Sequence, residues 1–263
     1  MTKKDSAIAL AADDNKALAE LGIDLDQMKV DAQRDGEMGI TDISIPYLYI
    51  LQTNSPQVNE DSEKFIEGAK AGMYYLTVLD KIFDGREKGV DVVFCYYNRN
   101  LNEWISRDDG GGLVAVYDLD DPIKNTTKPD EKGRPILPNG HLLVDTANHY
   151  CLVDVNGVWV QCIFPMKSTA LKVSRALNSL IKTTYIPNTD VRAPRYLYKH
   201  KATTVKEQKD TNIWSSPKLT IGPMVDKTIY TAAKEYAEIA EKGILRQAAT
   251  ESAETETPET SVM

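Results

Sequence analysis

Apolar and polar residues alternate along most of residues 43–164, and a spacing of three to four takes over further on. The runs "ISIPYLYILQ" (43–52), "GMYYLTVLD" (72–80), "GVDVVFCYY" (89–97), "NEWIS" (102–106) and "GLVAVYD" (112–118) are rich in β-branched and aromatic residues and predict strands. In "HYCLVDVNGVWVQCIF" (149–164), Asn156-Gly157 between two β-branched runs predicts a two-residue type I′ hairpin. "STALKVSRALNSLIKT" (168–183) predicts a helix with Ser168 as N-cap and Ala170, Val173, Leu177 and Leu180 inward. Its other face carries Lys172, Arg175, Ser179 and Lys182. "RYLYKHKATTV" (195–205) and "IWSSPKLTIG" (213–222) predict late strands. "PMVDKTIYTAAKEYAEIAEKG" (223–243) predicts a last helix opened by Asp226, with Ile229, Ala233, Tyr236 and Ala240 inward and Gly243 closing it. Residues 119–140 read as one long polar loop, a length that marks functional or mobile segments. There is no internal repeat. The order of elements predicts an α+β fold: a β-rich antiparallel core with one basic amphipathic helix and a C-terminal helix. An OB-like barrel is the alternative.

The ends differ from this core. Residues 1–38 are acidic and Ala-rich with weak helical periodicity, and read as a loosely attached arm. Residues 39–246 read as a single β-rich domain. The tail 247–263, "QAATESAETETPETSVM", carries four glutamates and no basic residue, a composition that cannot bury enough apolar surface to fold. The 263 residues and 42% hydrophobic content suit one substantial core. No apolar run approaches a membrane span, and the six-residue apolar stretch near the start is too short for a signal peptide. The three cysteines sit in strand-like runs and read as reduced core thiols, so the expected location is cytosolic.

Charge changes the picture. The formal net charge is −8, yet residues 167–209 hold ten Lys or Arg against Asp190 and Glu207. A local cationic field steers ligands more effectively than net charge does. The same stretch contains Tyr185, Tyr196, Tyr198 and His200.

Enzyme motifs are missing: there is no Walker loop, dinucleotide fingerprint, G-x-S-x-G or H-E-x-x-H. "DDGGGL" (108–113) suits a hairpin turn better than a phosphate cradle. "DLDD" (118–121) offers carboxylates for Mg²⁺, but a polar loop needs such residues anyway. His149, Cys151 and Cys162 face a shared hairpin but lack a fourth zinc ligand. No metal or cofactor is expected, and the chain is read as a binding protein.

Single-stranded nucleic acid needs cations along its phosphates and exposed rings on which bases stack. The 13 Tyr against 4 Phe favour rings that tolerate water at one end. The expected interface is Lys167, Lys172, Arg175, Lys182, Arg192, Arg195, Tyr196, Tyr198, Lys199 and Lys201. Strand alternation places Tyr196, Tyr198 and His200 on one face, though either tyrosine alone is as readily core. Within "CYYNRNLNEW" (95–104), Tyr96 and Trp104 are expected inside, while Tyr97 and Arg99 are expected to face ligand.

The stretches "ISIPYLYILQTNSPQVNEDSEKFIEGAKAGMYYLTV" (43–78) and "EWISRDDGGGLVAVYD" (103–118) resemble the single-stranded-DNA-binding RNA polymerase cofactors of podoviruses that carry a virion RNA polymerase. The resemblance spans residues 40 to about 200 and transfers no functional residue by position. It implies a β-rich fold other than the usual OB barrel, and action at melted middle promoters in the host cytoplasm. Its implied partners are single-stranded DNA and a phage RNA polymerase; no membrane partner is expected, and a homo-oligomer is compatible with it. A phage replication or recombination accessory protein is the next reading. A phage nuclease or a virion structural protein is the third.

Deleting residues 247–263 is expected to leave the melting temperature unchanged. If the glutamates compete with phosphate for the 167–209 cations, the truncated protein binds a fluorescent single-stranded oligonucleotide more tightly, most of all at low salt. Titration at two salt concentrations checks this; weaker binding by the truncated form would place the tail in the DNA site or an oligomer contact.

Overall fold

The computed structural model describes residue 22 and residues 24–32, 43–106 and 111–243. The tail 247–263 and most of the arm 1–38 lie outside the described residues, as do residues 107–110. Within the arm, Leu25–Ala32 form the short helix α1.

The fold is α+β, with an antiparallel, curled main sheet. Its spine is β4 (Val90–Trp104) paired with β8 (Leu142–Val155) in register from Val92↔Val153 to Trp104↔Leu142. On the far edge of β4, β10 (Tyr198–Lys209) pairs with its first residues and β5 (Leu113–Asp118) with its last. β10 continues to the edge strand β11 (Asn212–Met224), where Pro217 is tolerated because no further strand needs its missing N–H. On the far edge of β8 lies β9 (Val158–Lys167), joined through Asn156 and Gly157. Their φ values of 55° and 90° are those of the predicted type I′ turn.

Expectation and structure part in several places. "GVDVVFCYY" and "NEWIS" are not two strands but one, because the period-2 alternation continues through the asparagines and both faces find partners. The loop 119–140 contains a 3-10 turn, Pro122–Thr126, in which the Ile123 N–H donates to the Asp121 side chain. It also contains a small hairpin of β6 (Lys128–Pro129) and β7 (Pro135–Ile136) wrapped around the Asp130 carboxylate. Ile123 and Leu137 of this segment pack on Leu101 and Leu143. The buried Glu103 carboxylate holds it in place, accepting from Tyr117 Oη at 2.6 Å and Asn139 Nδ2 at 2.8 Å and lying 2.6 Å from His141 Nδ1. Burial pushes the Glu103 pKa up, but these bonds outweigh it and hold the carboxyl below its ordinary range.

A second, three-stranded sheet comprises β1 (Leu48–Ile50), β2 (Tyr74–Leu76) and β3 (Lys81–Phe83). β1 and β2 are far shorter than the apolar runs that predicted them, and β3 lies beyond any predicted run. The small sheet docks on β9 through the Tyr47↔Ile163 bridge and on β10–β11 through Gln52, which exchanges two hydrogen bonds with the Ser215 backbone. The Thr204 hydroxyl donates to the Gly72 carbonyl at 2.6 Å, and its N–H donates to the Gly85 carbonyl. A Cβ on Gly85 would lie 2.1 Å from the Gly72 oxygen, so only glycine permits this approach. The sheet curls around these contacts without closing, which sets it apart from an OB-like barrel.

Each face of the main sheet has its own core. One holds Val92, Phe94, Cys151, Val153, Phe164 and Met166 against the small sheet and helix α2 (Leu171–Thr183). The other holds Val93, Cys95, Tyr150 and Leu152 against helix α3 (Lys227–Glu241). α3 follows its prediction: the Asp226 side chain accepts from the Ile229 N–H, and Ile229, Ala233, Tyr236 and Ala240 are the buried set. α2 starts later than expected, after a 3-10 turn. Ser168 sits at φ 47° and makes no capping bond, and Leu180 is exposed while Val173, Ser174, Leu177 and Ile181 turn inward. Cys151 and Cys162 face each other across β8–β9 as free thiols 3.5 Å apart.

Two buried histidines flank Phe94. His149 shares a hydrogen bond with Ser174 of α2, and His200 sits edge-on to the same ring. Burial lowers their pKa values to about 3 and about 4. In the unfolded chain these groups titrate near about 6.5, so below that pH the unfolded state binds more protons than the native one. Stability is therefore full at neutral pH and falls as pH drops from about 6.5 through the folded values. Urea midpoints at pH 7, 6, 5 and 4 check this; His200→Gln should flatten the decline, and an identical pH profile would show that the histidines do not set it.

Candidate nucleic-acid interface

The cationic segment begins on β9, continues through α2 and ends on β10. Lys172, Arg175, Ser179 and Lys182 fall on the exposed side of α2 because Ser174 and Leu177 are its buried positions. Lys172 is ion-paired with Glu207 at 2.7 Å; Arg175 and Lys182 have no ion pair among the described residues. After α2 the chain makes a tight excursion. Thr184 accepts from the Ala193 N–H, Val191 accepts from the Ile186 N–H, and Tyr185 bridges Arg192. This brings Tyr185, 47% exposed, beside the exposed Arg192 and close in sequence to Lys182.

The remaining predicted residues are more constrained. β10 begins only at Tyr198, because Pro194 accepts from the Leu197 N–H in a turn, so strand alternation does not extend to Tyr196. Tyr196 instead stands edge-on to Tyr230 of α3, and Tyr198 is half-buried. Arg195 is half-buried, donates to Asn178 at 2.7 Å and lies over the Tyr97 ring at 5.5 Å; burial lowers its pKa. Tyr97 packs on the α2-side core and against His149. Arg99 makes a two-pronged pair with Asp145, whose hydrogen bonds raise the guanidinium pKa. Lys201 pairs with Asp91 at 2.6 Å, and Lys199 lies over Trp159 at 5.1 Å. Lys167 lies over Trp104 at 5.2 Å on the opposite side of the sheet from Tyr97.

Lys167 also belongs to a feature that charge counting did not reveal. On the α3 side of the sheet, Asn100, Asn102 and Trp104 of β4 line a groove together with Thr146, Asn148 and Tyr150 of β8. Tyr47 and Tyr49, stacked at 5.5 Å with planes 5° apart, complete the groove with Pro165 and Lys167. Its empty volume is about 510 Å³, open solvent included, and among the described residues its lining contains one cation and no carboxylate. Asn148 donates to Asn98 at 3.1 Å, and Asn98 donates to Tyr150 Oη, forming an amide ladder. The N-x-N-x-N-x-W spacing of 98–104 is the signal that could have located it, since alternate strand residues share a face.

His149 turns to Ser174, Cys151 faces Cys162, and Asp121 caps the 3-10 turn. Among the described residues no three His, Cys, Asp or Glu side chains converge as ligands.

The geometry is that of an α+β scaffold with exposed cations along α2 and the turn after it and with an aromatic–amide groove. The family model described as Pam3 phage gp34-like protein matches residues 15–245, and the chain belongs to that family of phage proteins. Neither the curated proteins nor the solved structures contain a match.

Placement separates the aromatics. Tyr97→Ala is expected to lower stability by about 3–5 kcal/mol, as for a core aromatic. Tyr185→Ala should leave stability within about 0.5 kcal/mol, as for an exposed site. Thermal melts of both variants check this; equal losses would mean that Tyr185 is packed.

Proposed function

We propose that this phage protein binds single-stranded DNA through its cationic surface and acts as a transcription cofactor that brings a phage RNA polymerase to melted promoters. The observation that carries the DNA-binding part is the α2 stripe with Arg175 and Lys182, continuous along the chain with the exposed Tyr185–Arg192 excursion. Lys206 and Lys209, exposed at the far end of β10, extend the supply of cations. Cations follow the phosphates and carry no base information, while an exposed ring stacks on any base, so such a surface binds strands tolerantly. The polymerase partner rests on the resemblance of residues 43–78 and 103–118 to the podovirus cofactors. A replication or recombination accessory role shares the ligand and differs only in partner. Catalysis plays no part in this reading.

Five phosphate contacts would give a slope of log K against log salt of roughly −3.5, at about −0.7 per phosphate on single strands. Arg175→Glu with Lys182→Glu should weaken binding to all sequences alike and make the slope shallower. Fluorescence anisotropy with single- and double-stranded oligonucleotides across a salt series measures both. A slope near zero, or equal preference for duplex, would remove this surface as a single-strand site.

A further inference from the structure

Between α2 and β10 the chain forms a narrow antiparallel ribbon, residues 184–193. The Ala193 N–H donates to the Thr184 carbonyl at 3.0 Å and the Ile186 N–H to the Val191 carbonyl at 2.9 Å, with Tyr185 and Arg192 bridged between them. That pattern makes Tyr185 and Arg192 a non-hydrogen-bonded pair, whose side chains lie close together on one face. Ile186 and Val191 take the opposite face. The end of the ribbon is tied down by Thr189, whose N–H donates to the Ile186 carbonyl at 3.1 Å and whose hydroxyl accepts from the Val191 N–H at 3.2 Å. This is a formed element, yet it stands in solvent: every residue from Pro187 to Arg192 is exposed.

Both faces of the ribbon present apolar surface to water. Tyr185 is 47% exposed on one and Val191 55% exposed on the other. A stacking platform needs one such face; a thin element with two suits insertion between flat surfaces. Lys182 stands at its foot and Arg192 beside Tyr185, both exposed and continuous along the chain with Arg175 of α2. Asp190, at the tip, is the one carboxylate of the ribbon and keeps that end away from phosphate, so contact falls to the two limbs.

We infer that this ribbon is a wedge for the boundary between double-stranded and single-stranded DNA. Tyr185 stacks on the last base pair, Val191 meets the first unpaired base of the strand turned aside, and Arg192 and Lys182 take the flanking phosphates. Apolar side chains inserted at a base step offset the stacking lost there, and a tyrosine face accepts any base. The inference rests on the single-strand-binding reading and deepens it, because the ligand becomes a junction rather than a strand alone. A protein partner also fits an exposed Tyr–Val ribbon, but the cations at its foot favour nucleic acid.

The test measures, for the full chain, Tyr185→Ala and Val191→Ser, the affinity for an all-thymidine strand and for the same strand joined to a short duplex. The wild type should favour the junction by roughly tenfold, about the contribution of one stacked ring, and each variant should bring that ratio close to one. A preference that comes only from the extra phosphates of the duplex would survive in both variants, since neither changes charge, and would overturn the wedge. Thermal melts establish that the variants are folded; if Tyr185→Ala is not, Val191→Ser alone decides. Equal wild-type affinity for strand and junction would also overturn the wedge, leaving the ribbon to a protein partner and the cationic surface standing. Absence of any single-strand binding by the wild type would overturn both.

Discussion

A single β-bulge organises the molecule. Phe94 pairs with Cys151 and Tyr96 pairs with Tyr150, so Cys95 is one residue too many in β4. An extra residue reverses the facing of everything after it. Before the bulge, Val92 and Phe94 point to the α2 side; after it, Tyr97 takes that side while Tyr96 joins Cys95 under α3. Three consequences follow from this one step. Tyr97 is driven against His149 and beneath Arg195, Arg99 meets Asp145, and the asparagines with Trp104 are turned into the groove on the other face.

Both faces of the β4–β8 spine are consequently covered, and polar residues inside the sheet must find partners or sit at an opening. Glu103 solves this with three donors, and Arg99 with a two-pronged carboxylate. Asn98 and Asn148 solve it by hydrogen-bonding one another. Asn102 and Trp104 do not, and they stand where the sheet face is left open between the small sheet and β5. Buried atoms without a partner among the described residues also occur at His149, His200 and Arg195, away from this cleft.

Tertiary pairing also sorts the cations. Lys172, Lys201 and Arg99 each meet an acid contributed by a distant part of the chain, and Arg195 is drawn under cover by Tyr97 and Asn178. Arg175, Lys182 and Arg192 remain outside on one side of α2 and its following turn. The field at the surface is accordingly smaller and more directional than ten positive charges imply. A phage protein of the Pam3 gp34-like family therefore presents two distinct surfaces: one of exposed charge and one of aromatic and amide groups.

Sequence periodicity by itself determined the element types, the Asn156-Gly157 turn, the Asp226 cap and the inward stripe of α3, because these depend on local geometry and residues a few positions apart. The basic side of α2 was legible for the same reason, though its apolar phase was misplaced at Leu180. Only the tertiary structure decided which face Tyr97 and Trp104 occupy, since a bulge leaves no residue signature in an otherwise alternating strand. It also decided which cations survive as free charge, because Asp91, Asp145 and Glu207 come from strands remote in sequence from their partners Lys201, Arg99 and Lys172. The groove needed both: a local N-x-N-x-N-x-W spacing to share a face, and β1, β8 and β9 brought from elsewhere in the chain to wall it in.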